Sequence, residues 1–84
     1  MNEPTRIALI GIIIEQADAV EPVNKTLHKY SEYIVGRMGI PYRERDINII
    51  SVVLDAPEKT ISTLSGQLGM IHGATVKSMF TKKR

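Results

Sequence analysis

Apolar residues along this chain switch between two spacings, and the switches mark its elements. From Thr5 to Glu15 the chain reads TRIALIGIIIE, with Ile7, Leu9, Gly11 and Ile13 at odd positions and Ala8, Ile10, Ile12 and Ile14 at even ones. A strand apolar on both sides is covered on both sides, so the pattern predicts a central strand. A buried helix is the rival reading, and the isoleucines clustered around Gly11 argue against it. Gln16 to Val20 turns the chain. Val20, Val23, Leu27, Tyr30 and Ile34 then recur at steps of 3, 4, 3 and 4, which is one helical stripe. Asn24, Lys25, His28, Lys29 and Glu32 fall on the wet side. Asp18 and Glu21 have capping-box spacing, and Pro22 suits a first turn. The helix is expected to end near Ser31 or Glu32.

Tyr33 to Tyr42 reads as a strand weakened by Gly36 and Gly39, with Pro41 near its end, all features of an edge. Arg43-Glu44-Arg45-Asp46 is a turn. Ile47 to Leu54 is the next strand, with Ile47, Ile49, Ser51 and Val53 on one face and Asn48, Ile50, Val52 and Leu54 on the other. Asp55 or Ala56 stands near the cap of a second helix, with Pro57 in its first turn and Glu58 against the dipole. Ile61, Leu64, Leu68 and Ile71 form the buried stripe, and Gly69 is the expected stop. After a turn at His72-Gly73, Ala74 to Phe80 alternates as an outer strand, with Val76 and Phe80 on one face and Thr75, Lys77 and Met79 on the other.

The order strand, helix, strand, strand, helix, strand is the split βαβ arrangement. The predicted fold is α+β: a ferredoxin-like βαββαβ domain over residues 1–84, with a four-stranded antiparallel sheet in order 4-1-3-2 and two helices on one face. The doubly apolar first and third strands then form the centre. Their second apolar face has no helix to cover it, and such a patch normally marks an interface. A homo-oligomer, dimer or tetramer, is therefore expected, with sheets stacked face to face or second strands paired edge to edge. The interface candidates are Ile34, Gly36, Arg37, Met38, Gly39 and Ile40 of the second strand, and Ile49 and Val53 of the third.

Composition narrows the chemistry. A chain of 84 residues buries a modest core. With no cysteine, disulfides and thiolate chemistry are excluded. The net charge is only +2, and part of the basic excess lies in Lys82-Lys83-Arg84, read as a solvated terminus. Direct nucleic-acid binding is not expected, since that requires basic charge spread over a face. The longest apolar run, Ile7 to Ile14, is too short to cross a membrane, and it lacks a small-x-small cleavage site, so a cytoplasmic protein is expected. Phosphate-loop, dinucleotide and HExxH patterns are missing, no serine has a paired base, and His28 reads as a surface residue. Neither an enzyme nor a cofactor is implied. One polar cluster is suggested by topology: Glu15, Gln16, Asp18, Arg43, Arg45 and His72 all fall at the same end of the sheet. Glu15, Asp18, Arg43 and His72 are the candidates for a small-effector or divalent-metal site.

At RIALIGIIIE, YIVGRMGIPYRERDINIISVVLDAP and LSGQLGMIHGATVKSMF the chain resembles the small regulators associated with iron-only hydrogenase systems. The resemblance runs from Arg6 to Lys82 and is most specific over Ile34 to Arg43. It implies a ferredoxin-like fold related to ACT effector domains and to the C-terminal domain of the nickel-responsive repressor. It also implies a tetrameric homo-oligomer with a regulatory, effector-sensing role. The repressor's nickel site uses second-strand histidines and a cysteine; here the matching stretch is Arg37-Met38-Gly39-Ile40, so that site is absent. The glycine-rich ACT ligand loop has no counterpart in Glu15 to Val20. A transcriptional role is expected to pass through a partner, as no DNA-binding segment is recognised. The alternatives are a protein–protein interaction module without a ligand, and a metal-binding module.

Overall fold

The computed structural model describes residues 4–81. The basic tail Lys82 to Arg84 lies outside these residues. The elements are β1 (Arg6–Ile14), α1 (Val20–His28), β2 (Ile34–Tyr42), β3 (Ile47–Ala56), α2 (Glu58–Gly69) and β4 (Ala74–Phe80), with single 3-10 turns at Ala17–Ala19 and Ser31–Tyr33. The strands form one antiparallel sheet in order β2-β3-β1-β4. This is the predicted ferredoxin-like α+β architecture, read from the opposite edge.

Both doubly apolar strands are central. Ala8, Ile10, Ile12 and Ile14 of β1 are buried, as are Ile50, Val52, Leu54 and Ala56 of β3. The stripes Val23 and Leu27 of α1, and Ile61, Leu64 and Leu68 of α2, close this core. Among the described residues every buried side chain is apolar. The helices are tied to each other and to the sheet at the periphery: Tyr30 Oη donates to Gln67 Oε1 at 3.1 Å, and the Ser65 and Ser78 hydroxyls are 3.1 Å apart.

Local boundaries differ from the sequence reading, each for an identifiable reason. The capping box does not form. Ala19 is the N-cap of α1 and makes no side-chain cap bond, because the preceding 3-10 turn encloses Asp18. Helix α1 stops at His28, earlier than expected. The Tyr30 N–H bonds to Leu27 O at 3.0 Å, tightening the chain into the second 3-10 turn. Tyr30, Tyr33 and Ile34 still pack on the core from there. Strand β3 runs on to Ala56, which pairs with Arg6, so Pro57 is itself the extended N-cap of α2 (φ −60°, ψ 149°). Helix α2 does end at the expected Gly69, and the left-handed residue that follows it is Gly73 (φ 92°). A Cβ there would stand 2.9 Å from Cβ of Gln16, so both backbone sign and space require glycine.

Candidate functional site

The polar end of the sheet was the first candidate. The Glu15 N–H donates to Gly73 O at 2.7 Å, which places the end of β1 beside the His72-Gly73 turn, as the topology implied. Glu15, Asp18, Arg43 and His72 are all exposed. Arg43 sits in the β2–β3 hairpin, on the other side of the sheet end from β4. That hairpin is closed by Arg45 N–H to Tyr42 O and by Asp46 N–H to Arg43 O, with Asp46 left-handed at φ 57°. Among the described residues no three histidine, aspartate or glutamate side chains converge into a group able to hold a metal.

The uncovered sheet face is a different matter. The strand registers lay its side chains out in rows across the sheet. One row runs Ile40, Ile49, Ile13, Thr75; the next runs Met38, Ser51, Gly11, Lys77; a third runs Gly36, Val53, Leu9, Met79. Ile7 and Tyr42 extend the patch at its ends. Ile13 is 40% exposed, Ile40 47% and Met38 59%, values far above those of the fully buried isoleucines on the opposite face. At the centre, the small residues Gly11 and Ser51 leave a depression of about 300 Å³, flanked by Leu9, Met79 and Lys77.

The interface candidates divide between the two faces. Gly36, Met38, Ile40, Ile49 and Val53 belong to the uncovered side, where stacking can use them. Ile34, Arg37 and Gly39 belong to the helix side, opposite Leu54, Val52 and Ile50. Within Gly36 to Ile40 the division is ordinary alternation, and Ile34 joins Arg37 and Gly39 because of an irregularity between Ile34 and Gly36 at Val35. Such a bulge reverses the alternation beyond it, so Ile34 and Gly36 fall on opposite faces of the sheet.

On that helix side lies a second recess, of about 280 Å³, between α1 and the β2–β3 hairpin. Its walls include Ile14, Val20, Ile50 and Pro41. At its rim Arg37 Nη2 donates to Asn24 Oδ1 at 2.7 Å. The sequence reading missed this recess. The signal available was Asn48, a polar residue on an otherwise apolar face of β3, near a glycine of the neighbouring strand.

Comparison with known proteins fixes the lineage. The family model described as "TM1266-like: Iron-only hydrogenase system regulator, putative" matches residues 6–78. The chain belongs to this family. Its fold agrees closely with the structure of uncharacterized protein TM1266 from Thermotoga maritima: 39% identity, 93% of this chain and 99% of that one covered, and a TM-score of 0.88. The C-terminal domain of the MgtC protein from Mycobacterium tuberculosis shares the fold at 13% identity, with 98% and 94% coverage and a TM-score of 0.73. No curated protein matches the chain. Among the described residues, no helix is long and apolar enough to cross a membrane.

Proposed function

We propose that this chain is a homo-oligomeric regulatory domain, not an enzyme, that senses a small effector and acts through a partner protein. The observation that carries this reading is the uncovered sheet face. Ile7, Leu9, Ile13, Met38, Ile40 and Met79 all stand at least a third exposed on one side of one sheet. Completing the burial of each half-exposed side chain contributes roughly 1 kcal/mol, so a second copy stacked there gains several kcal/mol before entropic costs. A self-associating sheet surface suits a domain whose output is assembly. The family's description as a regulator points the same way, and the exposed polar residues at the sheet end offer no paired acid and base for catalysis. Light scattering on the full chain tests the reading: a particle of two or more chains supports it, and a monomer at micromolar concentration contradicts it.

A further inference from the structure

We propose that the recess between α1 and the β2–β3 hairpin binds a small monocarboxylate with a short apolar body, gripped by Arg37. This rests on the regulatory reading above and names the chemistry of the effector.

Five observations converge on that chemistry. The recess measures about 280 Å³, at the small end of ligand pockets. Gly39 lines it, and a Cβ built there meets nothing within 4 Å, so the space a side chain would take is open. Its lining includes Val20 and Pro41, apolar residues that keep exposed surface and so suit a hydrocarbon body. At the rim, Arg37 makes no ion pair among the described residues. Asn24 accepts from one of its donors, leaving others for a planar two-oxygen acceptor. Asn48 adds an amide, half-buried on a face where Ile50, Val52 and Leu54 are wholly apolar.

The same lining discriminates between anions. No aspartate or glutamate lines the recess, so an ammonium group would have no carboxylate partner there. A simple or 2-oxo carboxylate is therefore favoured over an amino acid. Inorganic phosphate would satisfy Arg37 but leave the apolar walls unused.

The test is a titration of the isotope-labelled full chain with isovalerate, followed by amide chemical shifts. Isoamyl alcohol, which keeps the apolar body and removes the charge, and inorganic phosphate serve as controls. Saturable shifts at Gly39, Ile40 and Asn48 with isovalerate, absent with both controls, are expected. Gly39→Val fills the recess and should abolish them while leaving a dispersed, folded spectrum. Arg37→Gln should weaken binding about tenfold or more, the usual effect of losing a charge-assisted hydrogen bond, and it serves alone if the valine variant misfolds. Equal response to the alcohol, no saturable response, or unchanged binding in a folded Gly39→Val or Arg37→Gln variant would overturn the proposal. Light scattering on the same samples separates the two readings. An oligomer indifferent to isovalerate sinks the recess alone; a monomer that binds it upholds the recess and sinks self-association.

Discussion

Gly11 and Ser51 stand opposite each other across β1 and β3, at the centre of the sheet face that no helix covers. They make that face a trough, not a plane. On one side rise Ile40, Ile49 and Ile13; on the other, Val53, Leu9 and Met79. A facing copy can seat one of its ridges in this trough, so the shape as well as the polarity of the face favours a second sheet.

Gly11→Val raises the floor of the trough. Its Cβ would meet only Lys77 O, at 3.9 Å, so the single chain accommodates it. We expect a folded protein whose self-association is weakened about tenfold, the scale of a modest packing mismatch. Sedimentation over a concentration series measures this; unchanged association would show that the trough is not at the contact.

The core makes a separate prediction. Ile10 and Leu64 are fully buried on facing elements. Truncating either to alanine leaves a cavity and should cost about 2–5 kcal/mol in urea denaturation. A cost under about 1 kcal/mol would mean that the helices do not cover this face as described.

Two glycines should respond with opposite sign. Gly73→Ala combines a left-handed backbone with a Cβ 2.9 Å from Gln16, and should destabilise by about 1–3 kcal/mol. Gly66 is exposed within α2 and has open space around it. Gly66→Ala should stabilise by about 0.5–1 kcal/mol. Thermal and chemical unfolding of the two variants checks both signs.

Arg6 joins the start of β1 to α2 through Glu58 Oε1 at 3.3 Å, and its guanidinium lies 5.4 Å from the Phe80 ring centroid. Glu58 is more than half exposed, so Glu58→Gln should cost less than about 1 kcal/mol, and less still at high salt. Arg6→Ala should cost more, because it also removes the guanidinium over the Phe80 ring and its bond to Thr81 O. Equal costs would place the Arg6 contribution in the ion pair alone.

The fold was legible because its two central strands announce themselves. A strand apolar at nearly every position belongs at the centre of a sheet, and Ile7 to Ile14 is so with a single glycine interruption. Helix ends were less legible, because 3-10 turns at Ala17–Ala19 and Ser31–Tyr33 replaced the side-chain caps that spacing suggests. The sequence reading assigned no faces to β2, and the irregularity at Val35, which puts Ile34 and Gly36 on opposite faces, is marked by no residue type. Arg37 and Gly39, grouped with Met38 as contact residues, alternate with it along the strand and border a recess on the helix side. At the polar sheet end topology correctly placed Glu15 beside the His72-Gly73 turn, while among the described residues no group of three carboxylates or histidines forms there.

The central claim is that the uncovered face joins copies of this chain. Light scattering of the wild type beside Ile13→Lys tests it most directly, since Ile13 is 40% exposed in the middle of an apolar row. The account predicts two or more chains per particle for the wild type, and a folded monomer for the lysine variant with unchanged secondary structure by circular dichroism. A wild-type monomer, or an Ile13→Lys variant that assembles as the wild type does, would contradict it.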